Sequence, residues 1–323
     1  MIQDREHDRY QVPDAVLPRP SPYPAKQLCE NELVFEYTQS PFSFKIIRRL
    51  SGEILFDTYR TSLIFEQQFL RLRTQLPPNP NIYGLGEHSD TLRLNTTKYI
   101  RTFWAGDTSG TPEGTNSYGE HPIYFEHRST GTHGVLLVNS NGMDIHLDQD
   151  STGSNYLEYN TIGGVLDLYF LAGPSPAEVS RQYSAIVGQP AMIPYWSLGF
   201  HNCRYGYQDW FDVAETVYNY SLAGIPLETQ WTDIDYMDGR KIFTLDPQRF
   251  SLENMQAMIQ WLHNRGQRYV MMLDPAVAAT DYPAYDHGAD LDIFLKYNDS
   301  SYFEGVVWPV SWRCKQALLS PTC

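Results

Sequence analysis

Apolar and polar positions change rhythm once along this chain, near Gly173. From about Leu33 to Ala172, short apolar runs alternate with turn clusters, the pattern of an all-β domain. Gly134-Val135-Leu136-Leu137-Val138 and Leu166-Asp167-Leu168-Tyr169-Phe170-Leu171 are two such runs. Between runs stand Asn139-Ser140-Asn141-Gly142, Ser154-Asn155 and Gly163-Gly164. The Asn141-Gly142 step predicts a tight hairpin, because both residue types tolerate the positive φ such a turn demands. Short strands with these turns predict a β-sandwich over 33–187.

Beyond Gly173 the period lengthens. Pro174-Ser175-Pro176 opens a helix with Val179, Tyr183 and Ile186 on one face. Pro190 and Pro194 punctuate, and Ser197-Leu198-Gly199-Phe200 reads as a strand. Asp209 is placed to cap a helix whose inner face is Val213, Ala214, Val217 and Tyr218, ended by Gly224-Ile225-Pro226. Leu227 to Trp231 reads as a second strand. Ser251 starts a helix with Met255, Ile259 and Leu262 on one face, and Gly266 stops it. Tyr269-Val270-Met271-Met272-Leu273 is a third strand, apolar throughout, as a buried parallel strand should be. The order is β-α-β-α-β. Polar and aromatic residues follow each strand: His201, Asn202, Arg204 and Tyr205, then Asp233 and Asp235, then Asp274. Parallel α/β folds bind ligands at those strand ends. Three strands fit a barrel or an open sheet equally well.

Length and composition narrow the classes. The 323 residues suffice for two domains. Residues 1–32 read as an extended lead-in, with five prolines in the first twenty-five positions. A formal charge of −14 opposes binding to nucleic acid and to anionic membranes. The 23 Tyr, 15 Phe and 7 Trp supply faces that stack on sugar rings or on one another. No run reaches the roughly 20 apolar residues of a membrane helix, and the polar start is no signal peptide. Glycosylation sequons at Asn95, Asn219 and Asn298 point instead to an extracellular parent protein. Cys29, Cys203, Cys314 and Cys323 match no zinc or redox spacing, so no metal site and no cofactor are expected.

Asp233 and Asp235 stand two apart at a strand end, so they can point to one side. A retaining glycosidase needs carboxyls about 5–5.5 Å apart that flank the scissile bond. Neighbours on one strand approach from the same side, so binding of sugar hydroxyls is the better physical role. A helix cap or an ion pair is the alternative.

The run Trp231-Thr232-Asp233-Ile234-Asp235-Tyr236-Met237 resembles glycoside hydrolase family 31, the family of α-glucosidases and α-xylosidases. Gly188-Gln189-Pro190-Ala191-Met192-Ile193-Pro194-Tyr195-Trp196-Ser197-Leu198-Gly199-Phe200-His201 resembles the start of that family's barrel. Ile82-Tyr83-Gly84-Leu85-Gly86-Glu87-His88 and the run from Gly134 to Asp144 resemble motifs of its N-terminal β-domain. The likeness spans residues 5–309, with a fungal α-glucosidase flavour. It implies a β-sandwich followed by the first part of a (β/α)8 barrel, cut after about the third strand, with the barrel over 188–309. It also implies a retaining mechanism on an α-glucoside oligosaccharide. Carried over residue by residue, Asp233 would bind hydroxyls of the nonreducing sugar. Ile234, Tyr205, Met272 and Trp308 would line the same pocket, and Asp107 would be a carboxylate brought in by a β-domain loop.

The family's nucleophile sits in a Trp-x-Asp-Met-Asn-Glu motif on the fourth barrel strand, and that motif does not occur here. The nucleophile and the general acid are thus expected beyond Cys323. After Trp308-Pro309 the family continues with Gly, whereas this chain reads Val310-Ser311-Trp312-Arg313. That departure predicts a shifted reading frame or a retained intron and an aberrant tail over 310–323, while the polar start without a signal peptide predicts a clipped front. The expectation is a chain without glycosidase activity of its own. The alternatives are a noncatalytic carbohydrate-binding protein and an enzyme split between this chain and a second one carrying the rest. Family likeness does not choose among α-glucosidase, α-xylosidase and α-glucan lyase.

Overall fold

The structure, a computed structural model, describes residues 1–6, 8–19, 31–106, 113–114 and 118–305, and the backbone of 316–318. The chain forms two compact units, Met1–Pro190 and Ala191–Cys323.

In the first unit the strands are β1 (Leu33–Gln39), β2 (Phe42–Arg48), β3 (Ile54–Asp57), β4 (Ile64–Glu66), β5 (Phe69–Gln75) and β6 (Ile82–Gly84). There follow β7 (Tyr99–Phe103), β8 (Ile123–Arg128), β9 (Gly131–Leu137), β10 (Met143–Gln149), β11 (Asn155–Thr161) and β12 (Leu168–Leu171). They form sheets of order β4-β5-β11-β10-β7, β12-β9-β8-β6 and β1-β2-β3. Period-two burial shows why the sheets stack. Met143, Ile145 and Leu147 are buried along β10, with Leu70 and Leu72 buried on β5. These close one core with Tyr124, Val135 and Leu137 of the second sheet and with Phe44 and Phe56 of the third. The result is the sandwich that the alternation predicts.

The Asn141-Gly142 step does not make a hairpin. β9 pairs with β8 and β12, whereas β10 pairs with β7 and β11. The step therefore carries the chain from one sheet to the other, and neither residue adopts the positive φ of a hairpin turn. Side-chain bonds decide the corner. Asn139 Oδ1 accepts from the Asn141 backbone N at 2.8 Å, while its Nδ2 donates to the carbonyls of Gly163 and Val165, each at 3.0 Å. Sequence pattern cannot show that two segments 24 residues apart share one asparagine.

Helix α1 (Pro176–Val187) starts where Ser175 caps it, its hydroxyl accepting from Glu178 N. It lays Val179 against the outer face of the second sheet, among Ile123, Leu136 and Leu171. The lead-in joins the same unit: Ile2 bridges Leu166, and Leu17 is buried in that cluster.

The second unit carries β13 (His201–Asn202), α2 (Trp210–Leu222), β14 (Thr229–Thr232), α3 (Leu252–Asn264) and β15 (Arg268–Met271). The three strands form a parallel sheet in that order. Asp209 and Ser251 cap α2 and α3 through their side chains. Val213 and Val217 on α2 and Met255, Met258 and Leu262 on α3 are buried. Segments 276–278, 304–305 and 316–318 form a small antiparallel sheet. Among the described residues no helix is long and apolar enough to cross a membrane.

Three expectations need correction here. Residues 197–200 are not a strand: Tyr195–Leu198 is a 3-10 turn, with Ser197 N donating to Pro194 O at 3.0 Å, and the strand begins at His201. Two prolines ahead of the segment favour that turn over an extended run. Tyr218 is 54% exposed rather than on the inner face of α2, because it lies about 100° round the helix from the fully buried Val217. The third strand is not buried: Met271 and Leu273 are 47% and 46% exposed. Among the described residues β15 pairs only with β14, so its far side has no neighbouring strand.

Candidate functional site at the parallel strand ends

Asp233 follows β14 directly and caps a 3-10 turn (Ile234–Tyr236), its Oδ1 accepting from Ile234 N at 2.7 Å. Only one carboxylate oxygen is engaged by that bond, so the other remains a hydrogen-bond acceptor at the strand end. Asp235 works differently. Both its carboxylate oxygens accept from Gly206 N at 3.1 Å, which joins the loop after β14 to the loop after β13. The two carboxylates thus take different partners, Ile234 N for Asp233 and Gly206 N for Asp235.

Tyr205, beside Gly206, is 55% exposed. Its hydroxyl accepts from Arg240, whose guanidinium lies 5.2 Å from the ring centroid. Met272 N donates to Thr232 O at 3.1 Å, and Met272 O accepts from Tyr236 Oη at 2.7 Å. Burial pushes the Tyr236 hydroxyl up to about 12, so it remains a donor across the ordinary pH range. Ile234 is buried in an apolar cluster with Tyr207, Tyr236 and Phe250, and Met272 packs against that cluster. The structure thus brings Tyr205, Asp233, Ile234 and Met272 to one end of one sheet. Asp107 and Trp308 lie outside the described residues.

Several residues at this end take partners that the sequence does not announce. Exposed Cys203 has its thiol held above the usual range by burial and then by the charge of Asp233. Trp231 Nε1 donates to His201 Nδ1 at 2.9 Å, and His201 Nε2 stands 3.1 Å from the Ser197 carbonyl. A carbonyl only accepts, so this pair of bonds specifies the Nε2-protonated tautomer and fixes the imidazole plane. On the side of β14 that faces α2, Asn202 Nδ2 donates to Tyr207 Oη at 2.9 Å and to Gln230 Oε1 at 3.0 Å. Gln230 Nε2 donates to Tyr207 Oη at 2.7 Å, and Tyr220 Oη on α2 donates to Asn202 Oδ1 at 3.0 Å. Gln230 is fully buried, and its Nε2 also donates to the Trp231 carbonyl at 2.7 Å, so its amide is satisfied entirely within the protein. Gln230→Leu should cost about 1–3 kcal/mol, since it takes one partner each from Asn202 Nδ2 and Tyr207 Oη inside a buried network. Urea unfolding of the full chain would measure it, and an unchanged midpoint would show that the network is energetically idle.

The sequons fall on exposed residues: Asn95, Asn219 on α2, and Asn298. Among the described residues no group of three or more His, Cys, Asp or Glu could hold a metal ion.

Comparison with known proteins assigns the architecture. Residues 190–319 match the glycosyl hydrolases family 31 TIM-barrel domain. Residues 15–145 match the glycosyl hydrolase 31 N-terminal galactose mutarotase-like domain. The chain belongs to glycosyl hydrolase family 31. A probable alpha/beta-glucosidase of Arthroderma benhamiae is 55% identical over 313 residues, 96% of this chain and 36% of that relative. A probable alpha-glucosidase of Oryza sativa subsp. japonica is 44% identical, covering 95% of this chain and 36% of its own length. This family 31 chain therefore spans about a third of the length of the curated relatives it matches. Among solved structures, a glucosidase II alpha subunit superposes with a TM-score of 0.78 at 21% identity, covering 89% of this chain and 36% of that one. That likeness concerns the fold alone. The family 31 alpha-glucosidase from Bacteroides thetaiotaomicron gives a TM-score of 0.61 at 30% identity, covering 76% of this chain and 40% of its own.

Proposed function

We propose that the strand ends of the second unit form part of the sugar pocket of an α-glucosidase-type, retaining family 31 hydrolase, and that this chain by itself binds α-glucosides without cleaving them. One observation carries the reading. Three consecutive parallel strands deliver Tyr205, Asp233 and Met272 to the same end, where Asp233 retains acceptor capacity and Tyr205 exposes a ring. Carboxylates accept from sugar hydroxyls and aromatic faces stack on the ring, so the chemistry suits a neutral sugar. Cleavage needs a second carboxyl across the scissile bond. Asp235 is occupied by Gly206, and no Trp-x-Asp-Met-Asn-Glu motif occurs in the sequence. A second chain that carries the rest of the barrel would supply those groups. The exposed sequons suit a parent enzyme that passes through the secretory route, with glycans at Asn95, Asn219 and Asn298.

The purified chain is expected to release no nitrophenol from an aryl α-glucoside, and to bind maltose weakly by calorimetry. Asp233→Asn should weaken that binding about 10–100-fold, the value of a hydrogen bond to a charged group. Turnover blocked by an active-site inhibitor such as an iminosugar would refute the inactive reading. Maltose affinity unchanged by Asp233→Asn would refute the pocket.

A further inference from the structure

The second aspartate of the Trp-Thr-Asp-Ile-Asp-Tyr-Met run has no part in the chemistry above, yet it is the better anchored of the two. Its carboxylate holds Gly206 N through both oxygens at 3.1 Å. Its backbone carbonyl accepts from Arg249 Nη2 at 3.0 Å. Arg249 also donates through Nη1 to Gln208 O at 3.3 Å and through Nε to Asp246 Oδ2 at 2.8 Å. Its own carbonyl accepts from Trp210 N at 3.0 Å. One guanidinium therefore spans three segments: the loop after β13, the loop after β14 and the approach to α3. The planar fork of arginine supports this, because it can donate in three directions at once.

Gly206 has φ +106, a backbone conformation that L side chains rarely adopt, and a local preference alone would leave the loop free to leave it. The Asp235 bonds remove that freedom at the residue next to Tyr205. Arg240, in the same loop as Asp235, bonds the Tyr205 hydroxyl from the other side.

We propose that Asp235 and Arg249 are positioning residues that clamp the two strand-end loops together and so hold the Tyr205 ring at the sugar subsite, an inference that rests on the pocket proposed above. Asp233 would touch the sugar, and Asp235 would act only through Gly206 and Tyr205.

The test uses the full chain with Asp235→Ala, Arg249→Met and Arg249→Lys, and Asp233→Asn as the control. The first readout is exchange of the Gly206 amide hydrogen by NMR, which a sugar-binding role does not enter. Asp235→Ala should speed that exchange about tenfold or more, the loss of a bond of about 1.4 kcal/mol. Arg249→Met should do the same, and Arg249→Lys should rescue little, because one ammonium lacks the fork. The second readout is maltose affinity, which should fall about three- to tenfold in both loss variants while the melting midpoint stays near that of the parent. Unchanged Gly206 exchange in Asp235→Ala would overturn the clamp. Faster exchange with maltose affinity within about twofold of the parent would overturn the positioning role. Affinity unchanged by Asp233→Asn, or no maltose binding in the parent, would instead bring down the pocket reading, and with it the role at the sugar, leaving the clamp to stand or fall on the exchange result.

Discussion

Replacing Arg128 with methionine should destabilise the β-sandwich unit by about 3–5 kcal/mol, the usual cost of removing one member of a buried ion pair. The Glu126 side chain is completely buried, and Arg128 grips it with two parallel bonds, Nε to Oε1 at 2.7 Å and Nη2 to Oε2 at 2.8 Å. Arg128 also donates through Nη1 to Ile54 O at 2.7 Å and to Glu53 Oε1 at 3.3 Å. Burial already raises the Glu126 carboxyl above the usual range, and the Arg128 bonds work against that rise. Without the guanidinium, Glu126 must either keep an uncompensated charge or take up a proton in the fold. The measurement is a urea melt followed by hydrogen exchange in β8 and β9, which isolates this unit from the other. Adding Glu126→Leu to the arginine variant should recover much of the loss, since no carboxylate is then left buried. A single variant that loses less than about 1 kcal/mol would show that the pair is held by geometry without net benefit.

Below pH 6.5 the same unit should lose stability steadily, and a His133→Phe variant should lose less. His133 is buried on β9, and its imidazole is pushed down to about 3 from 6.5, by burial first and then by the positive charges of Arg128 and Arg48. In the unfolded chain the same side chain titrates near its ordinary value. Between pH 6.5 and about 3 the unfolded state therefore binds a proton that the fold refuses. Stability is fully present above that window and falls as pH drops through it. The limiting slope for one proton is about 1.4 kcal/mol per pH unit. Glu126 contributes with the opposite sign, because its raised pKa favours the fold when it is protonated. The difference between parent and variant isolates the histidine: it should shrink by about 1 kcal/mol for each unit below 6.5. Parallel curves for the two proteins across that range would show that His133 is protonated in the fold.

The two predictions share a cause that no sequence pattern announces. Glu126 and Arg128 are two apart on β8, an ordinary charged pair on a strand as far as alternation can tell. Only the tertiary structure reveals that Glu126 is buried and that pairing of β8 with β9 puts His133 opposite it, with Nε2 at 3.4 Å from Oε2. The site divides in the same way. The order of strands and helices after Gly173, the caps Ser175, Asp209 and Ser251, and the gathering of Tyr205 and Asp233 after strands are local properties, set by periodicity, side-chain acceptors and turn residues.

What the sequence by itself determined is therefore the change from period two to the helical period, the family 31 motifs and the end of the sheet at which candidate residues collect. Local hydrogen bonding and burial of one face act over a few residues, so they are written in the spacing. What only the tertiary structure decided is which partners those residues take: Asn139 reaching the 163–165 corner, Gln230 tied to Tyr207, Asp235 on Gly206, and Arg249 joining two loops. Each is a bond across a long stretch of chain, made because polar groups taken from water need partners and the fold brings these within reach.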